Sequence, residues 1–185
     1  MLAKQVPDTS SGRRFEGSRL VRGEDDVLNE FDENAVEAAA QLVAAYGGEV
    51  LAVSMGTEDA SDALVRCLAL GADSAYLLSD PLLENADVTV TARALAALIS
   101  LLAEEEAIDL VLCGMAASDA MTSMLPAALA AVMNVPLVSQ VRELTADPAK
   151  GHVQALRSVD GVDETLRAPL PAVVSVTDQL NEPRF

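Results

Sequence analysis

Residues 49–78 read EVLAVSMGTEDASDALVRCLALGADSAYLL, and this stretch decides the predicted fold. A short, Val-containing apolar run at residues 49–54 predicts a buried strand, residues 58–70 predict a helix, and residues 74–78 predict a second strand. Gly71 directly follows the helical stretch, where a glycine commonly ends a helix. A strand, a helix and a strand in this order indicate a βαβ unit with parallel strands.

The alternation of strands and helices continues on both sides of this unit. Such alternation is typical of a parallel sheet with helices on both faces. The predicted fold class is therefore α/β, with a doubly wound, mostly parallel sheet that is Rossmann-like and adenine-nucleotide alpha-hydrolase-like. The further helices are predicted from residue 32 to Gly47, at 87–106 and at 125–133, and the further strands at 110–113 and 135–139.

The pattern changes after Val141. Short extended pieces alternate with turn sequences such as Asp-Pro-Ala-Lys-Gly at residues 147–151, which predicts a small antiparallel extension at about residues 141–168. Residues 170–176 then return to a buried strand. Because no domain boundary or repeat is visible, we expect residues 1–185 to form a single domain.

Composition and charge exclude several classes of function. The net charge is -17, with 12 Lys and Arg residues in total, and only 3% of residues are aromatic, so neither a basic groove nor a stacking platform for nucleic acid is expected. The acidity fits either a margin of solubility or a docking face for a basic partner. The apolar stretch at residues 88–103 is too short to span a bilayer and contains Arg93, so no membrane insertion is expected. Cys67 and Cys113 form no Cys-x-x-Cys pair, and two buried free thiols predict a cytoplasmic protein.

Two loops qualify as ligand sites, because ligands bind at the carboxyl ends of strands in an open parallel sheet. One is residues 54–58, and the other is residues 114–123, which read GMAASDAMTS. In the second loop, Gly114 allows close backbone approach, and Thr122 and Ser123 stand before a helix, whose start favours a phosphate. The alternative is that Ser-Asp and Thr-Ser only cap the helix. Neither Gly-Lys-Ser/Thr nor Gly-x-Gly-x-x-Gly occurs.

No catalytic or metal-binding constellation is found in the sequence. His152 is the single histidine and lies beside a turn, which favours a solvated surface residue over a general base. No nucleophile elbow and no metal-ligand spacing is present, so the chain is not expected to be an enzyme.

Five motifs, in order, resemble those of electron-transfer flavoprotein beta subunits and cover nearly the whole chain. The clearest are a Lys-Gln-Val-Pro-Asp-Thr segment near the start and an Asn-x-Phe-Asp-x-x-Ala-Val-Glu helix start. The motifs lie at residues 4–9, 29–38, 69–73, 109–114 and 170–185, the last running from LPAVVSV to LNEPRF.

The resemblance implies an electron carrier that pairs with an alpha subunit, which holds most of the FAD. Such subunits bind one structural AMP and transfer electrons from acyl-CoA or other flavin dehydrogenases. Thr9 would lie near the flavin edge. The positions that correspond to AMP contacts are Leu2, Asn29, Glu30, Phe31, Asp32, Met55, Gly114, Ser118, Asp119, Thr122, Ser123, Met124 and Leu125.

The chain departs from the family pattern in its loop and at its ends. Residues 119–126 read DAMTSMLP where many members have an Asp-rich run and Asn-Gln-Thr-Gly, which resembles bacterial Ser/Thr-Asp variants and leaves fewer side-chain donors for a phosphate. Members of the family have an apolar strand ahead of Met1 and a dehydrogenase-docking loop beyond residue 185, so we expect a shortened chain. Whether AMP or a second FAD occupies the site stays open.

Two other readings compete with this one. A free-standing adenine-nucleotide module of the universal-stress type would carry Gly-x2-Gly-x9-Gly-Ser/Thr, and an adenine-nucleotide alpha-hydrolase or ligase would carry Ser-Gly-Gly-x-Asp-Ser. Neither motif occurs in this sequence.

Overall fold

The structure is a computed structural model that describes residues 1–184; Phe185, the last residue of the LNEPRF motif, lies outside the described residues. The strands are β1 (Gln5–Pro7), β2 (Phe15–Glu16), β3 (Arg19–Leu20), β4 (Asp26–Leu28), β5 (Leu51–Met55), β6 (Ser74–Leu78), β7 (Leu110–Gly114), β8 (Leu137–Asp147), β9 (His152–Val159), β10 (Val162–Pro169) and β11 (Ala172–Val176). The α-helices are α1 (Glu30–Tyr46), α2 (Ser61–Leu70), α3 (Val88–Leu102) and α4 (Leu125–Met133).

Parallel and antiparallel pairing are both present. One sheet has the order β10-β9-β8-β11-β7, in which β11 is parallel to β7 and β8, whereas β9 is antiparallel to both β8 and β10. Strands β5 and β6 form a separate parallel pair, as the βαβ prediction requires. A mixed α/β architecture is thus confirmed.

Residues 1–3 connect these two groups of parallel strands. On one side the amide of Leu2 donates to the carbonyl of Leu112 in β7 at 2.8 Å. On the other, Ala3 donates to Val53 in β5, and Val53 donates to Met1, both at 2.9 Å. Although the sequence predicted hardly any strand ahead of Pro7, three residues suffice to place β5 beside β7.

The apolar core is divided into two clusters by the strands. One cluster joins α1 and α2 through small and branched residues such as Val36 and Leu64, and the other joins α3 and α4 through Ile99 and Leu129. The Ala-rich helices can pack closely on the strands because their side chains add little bulk. Burying each large aliphatic side chain contributes about 1.5–3 kcal/mol.

Several predicted bounds shift by up to three residues, and two predictions differ more from the structure. The sequence split residues 135–144 into two extended pieces, but β8 is continuous, and Gln140 in its middle has a left-handed φ of 59°. The pairing register shifts beside it, as at a β-bulge. Helix α3 ends at Leu102 instead of residue 106, and residues 103–105 form turns. Three glutamates are unfavourable at the negative end of a helix dipole.

A cavity of 460 Å³ lies at the amino ends of β5 and β7. Its lining includes Met1, Leu51 and Leu110. The Met1 ammonium donates to the Leu51 carbonyl at 2.6 Å, and burial lowers the pKa of this ammonium to about 6. This cavity is therefore at the opposite end of the strands from the predicted ligand loops.

Two polar contacts hold residues 177–184 against the outer side of α1. The Asn34 side chain donates to the Asn181 carbonyl at 2.9 Å, and the Asn181 side chain donates to the Asn34 carbonyl at 3.1 Å. One turn further along, the Arg184 guanidinium donates to both carboxylate oxygens of Glu37, at 2.6 and 3.1 Å. The Asn-Glu-Pro-Arg motif thus serves to fasten this segment to the helix.

We predict that Asn181→Ala lowers the free energy of unfolding by about 0.5–1.5 kcal/mol, because it removes the hydrogen bond that the Asn181 side chain donates to the Asn34 carbonyl. Urea unfolding followed by circular dichroism measures the change. Glu182→Ala, at an exposed neighbour, is the matched control and should have little effect. Equal destabilisation by the two variants would contradict a specific role for the asparagine pair.

Candidate functional site

The predicted ligand loop, residues 114–123, begins at the last residue of β7, and residues 115–124 connect β7 to α4 at the carboxyl end of the sheet. Asn29, which directly precedes α1, binds this loop through both ends of its side-chain amide. Its Nδ2 donates to the Ala116 carbonyl at 2.9 Å, and its Oδ1 accepts from the Ser118 amide at 3.0 Å. Asn29 is buried, so these contacts fix the first half of the loop against the start of α1.

Asp32, in the first turn of α1, ties together three elements. Its Oδ1 accepts from the amide of Gly114 at 3.0 Å, and its Oδ2 accepts from the amide of Lys4 at 2.9 Å. Burial raises the pKa of this carboxyl to about 7, although the two amide donors and the nearby Lys4 charge act in the opposite direction. Ionising this buried carboxyl is therefore unfavourable, and two amide donors hold it, one from the end of β7 and one from the segment before β1.

Gly114 is required by the close approach of α1 to the end of β7. A Cβ at this position would lie 2.6 Å from Asp32 Oδ1, 2.7 Å from Phe31 Cβ and 2.8 Å from the Phe31 carbonyl carbon. No side chain fits at such distances unless the backbone of α1 moves. The motif Asn-Glu-Phe-Asp and the glycine after β7 are thus complementary parts of one contact.

The start of α4 has no side-chain cap. Met124 occupies the N-cap position without a capping hydrogen bond, so the alternative that Thr122 and Ser123 merely cap this helix is wrong for the described chain. Met121 and Ser123 both have left-handed φ angles, of 51° and 53°, which non-glycine residues rarely adopt. Backbone strain of this kind is concentrated at ligand sites.

The amide groups before α4 remain available for a ligand. Within residues 1–184, no hydrogen bond engages the backbone amides of Thr122, Ser123 or Met124. The first amides of any helix also lack partners inside the helix. Because Met121 and Met124 are exposed, this part of the loop faces solvent. The loop therefore presents free donors at the positive end of a helix dipole.

Asp119 is the second carboxylate of the site and lies in the loop itself, where two cations hold it. Lys4 Nζ lies 2.9 and 2.8 Å from its two oxygens, and Arg22 forms a further ion pair with it. Despite its burial, the hydrogen bonds from Arg22 and Lys4 hold the pKa of Asp119 below its usual value. Arg13 donates to the neighbouring Ser118 carbonyl at 2.9 Å.

Three further predicted residues, Leu2, Met55 and Thr9, lie outside the loop. Leu2 and Met55 pack in the cluster of α3 and α4; Met55 ends β5, and Leu2 lies beside the middle of β5 and β7. Thr9 is exposed, and its hydroxyl lies 3.2 Å from Glu30 Oε1.

The sequence analysis did not select Lys4, Arg13 or Arg22 as site residues. Lys4 belongs to the Lys-Gln-Val-Pro-Asp-Thr motif, which is the one signal that could have found it. The two arginines flank the β2–β3 hairpin in a polar stretch without a recognisable pattern.

Searches for two other kinds of site were negative within residues 1–184. No group of three or more His, Cys, Asp or Glu side chains there could hold a metal ion. No helix there combines the length and the apolar character that crossing a bilayer requires.

Comparison with known proteins gives a consistent result. Residues 19–184 match the family model described as the electron transfer flavoprotein domain. The chain is 36% identical over 186 residues to the caffeyl-CoA reductase-Etf complex subunit CarD of Acetobacterium woodii, covering 99% of this chain and 69% of that protein. It is 36% identical over 193 residues to the electron transfer flavoprotein subunit beta of Mycobacterium leprae, covering 100% and 71%. Protein FixA of Azotobacter vinelandii is 32% identical over 185 residues, covering 98% and 66%.

We predict that Asp32→Asn flattens the pH dependence of stability between about pH 4 and pH 7. The folded-state pKa of Asp32 is raised from 3.8 to about 7, so its contribution is fully present below pH 4 and is lost as the pH rises through 7. Urea unfolding of the wild type and of Asp32→Asn across this range measures the difference between their free energies of unfolding. The contributions of the titratable groups that both proteins share cancel in this difference. Parallel profiles for the two proteins would contradict the assignment.

Gly114→Ala should destabilise the chain by about 1–3 kcal/mol, because the added methyl group overlaps Asp32 and the Phe31 backbone. Thermal unfolding measures the effect. The control is Gly12→Ala, where a Cβ meets no atom within 4 Å. A stable Gly114→Ala protein with an unchanged Tm would contradict the close contact.

Proposed function

Because this chain belongs to the electron transfer flavoprotein family, we propose that it is the beta-type electron carrier subunit and pairs with an alpha subunit. Its relatives named as electron transfer flavoprotein subunit beta, FixA and CarD support an electron-transfer role. The alternative of a free-standing universal-stress module has no comparable support.

We propose that residues 1–185 form one domain with a doubly wound, Rossmann-like sheet. Two observations support this arrangement. Residues 1–3 hydrogen-bond to β5 and β7, which makes the parallel strands continuous, and the helices fall into two clusters with the strands between them.

We propose that the loop at residues 115–124 binds AMP, with the phosphate at the start of α4. The observation that carries this proposal is the uncapped start of α4, where the amides of Thr122, Ser123 and Met124 have no partner within residues 1–184. A phosphate at a helix start satisfies such amides and interacts favourably with the helix dipole. Leu125 begins the helix, and Pro126 after it has no amide to satisfy.

The other predicted AMP residues divide into two groups by their contacts. Asn29 and Asp32 already bind the loop and β7, so we propose that they shape the site while Glu30 and Phe31 occupy the same turn. Met55 supplies apolar surface at the carboxyl end of β5, which suits an adenine ring, whereas Leu2 is buried between β5 and β7.

The flavin is expected to be held mainly by the alpha subunit. FAD supplies the redox chemistry, and this chain would contribute surface beside it. Thr9 fits such a role, because its side chain is exposed and close to Glu30 at the edge of the AMP site. We propose that the chain catalyses no reaction alone and that acyl-CoA or other flavin dehydrogenases deliver the electrons. Its two free thiols favour a cytoplasmic location.

The nucleotide can be identified directly. We expect acid extraction of the purified chain, followed by nucleotide chromatography, to release AMP in an amount close to that of the protein. FAD in its place would indicate a second flavin site. An extract without either nucleotide would contradict the proposed site.

A charge at the start of α4 tests where the phosphate lies. Thr122→Glu should reduce AMP content at least about tenfold, because the new carboxylate repels the phosphate and occupies the same amides. Ser100→Glu, on the exposed face of α3, adds the same charge and should retain AMP. Normal AMP content in Thr122→Glu would contradict this placement.

Partnership with an alpha subunit has its own test. We expect co-expression with an electron transfer flavoprotein alpha subunit to yield a yellow complex that survives gel filtration. An alpha subunit that elutes alone, with its flavin and without this chain, would contradict the proposed partnership.

A further inference from the structure

Three cations converge on one side of the proposed AMP loop. Lys4 and Arg22 both bind the carboxylate of Asp119, and Arg13 binds the carbonyl of Ser118 next to it. Lys4 comes from the segment before β1, whereas the two arginines flank the β2–β3 hairpin. Three separate positions in the chain thus place positive charge at two consecutive loop residues.

This clustering stands out against the charge of the rest of the chain. The protein has a net charge of -17, and the three residues are a quarter of its 12 Lys and Arg side chains. A dianionic ligand is repelled by the protein as a whole, so local positive charge is needed where its phosphate binds. In the described part of the chain, the charged side chains that contact Ser118 and Asp119 are all cations, namely Lys4, Arg13 and Arg22.

The cations are not used up by the loop. The Asp119 side chain is 1% exposed, whereas the side chains of Lys4 and Arg22 are 42% and 45% exposed. A lysine ammonium has three donors and an arginine guanidinium has five, and Lys4 gives only two to Asp119. Asp119 therefore anchors both cations while donors on each remain accessible from solvent.

A neighbouring hydroxyl adds a second, independent observation. The Oγ atom of Ser118 is buried and has no hydrogen-bond partner within residues 1–184. A buried hydroxyl without a partner is unfavourable, and a bound polar group can supply the missing bond. It lies in the residue whose carbonyl Arg13 binds.

We propose that Lys4, Arg13 and Arg22 make this loop selective for a phosphorylated nucleoside over the uncharged nucleoside, with Asp119 holding Lys4 and Arg22 in position. The proposal rests on the proposed AMP site and adds the residues that recognise the charge of the phosphomonoester. Holding the buried carboxylate of Asp119 engages only part of the donors of Lys4 and Arg22. Selectivity for a charged ligand gives a role to the donors that remain exposed.

The test is calorimetric titration of the full chain, freed of bound nucleotide, with AMP and with adenosine. Arg22→Gln should weaken AMP binding by about five- to tenfold, from the loss of one charge at close range, and leave adenosine binding within about twofold. Arg13→Gln should act in the same direction, and the double variant should nearly abolish the preference for AMP. Arg22→Lys retains the charge and should restore most of that preference.

Arg93→Gln is the matched control, because it removes one positive charge from an exposed site on α3. It should leave the AMP-to-adenosine ratio unchanged. Raising the salt concentration should weaken AMP binding to the wild type and not adenosine binding.

The possible failures are distinguishable. If Arg13→Gln and Arg22→Gln weaken AMP and adenosine equally, or weaken neither, the role in charge recognition is wrong while the AMP site stands. If the wild-type chain binds neither compound, both the AMP site and its charge selectivity are wrong.

Discussion

The carboxylate of Asp32 is the contact on which the rest of the site depends. It joins the first turn of α1 to the segment before β1 and to the end of β7, through the amides of Lys4 and Gly114. Ionising a buried carboxyl is unfavourable unless hydrogen bonds compensate for the lost hydration, so the positions of these two amides are closely constrained. The close approach it requires explains the glycine at position 114, and the orientation of β7 then determines where the loop at residues 115–124 begins.

The two groups of parallel strands are likewise joined by one short segment, residues 1–3. Residues 1–3 alone provide the hydrogen bonds that join β5 to β7 within the described chain, and they end at a buried ammonium beside the cavity. Leu2 and Asp32 therefore restrain the same short segment, one through the backbone and one through the Lys4 amide. Sheet continuity and site geometry are coupled because both depend on the position of this segment.

Hydrophobic periodicity correctly predicted the elements that have clear limits in the local sequence. The helix at residues 125–133 and the strand at residues 74–78 have the predicted bounds, since each is a short run with clear limits. The bulge at Gln140 was missed, because a left-handed residue within a strand leaves no periodic signal. Asn29 and Asp32 were selected through family resemblance, but their contacts with Ala116 and Gly114 span more than 80 residues, and no local pattern encodes them.

The charge of the chain and the charge of its proposed ligand have the same sign, and the loop resolves this conflict in two ways. Backbone amides at the start of α4 offer partial positive charge without altering the net charge, and Lys4, Arg13 and Arg22 add full charges nearby. Both kinds of donor are fixed before a ligand arrives, the amides by the helix and two of the three cations by Asp119. Preorganised donors bind an anion without the entropic cost of ordering them, which suits a nucleotide retained as part of the structure.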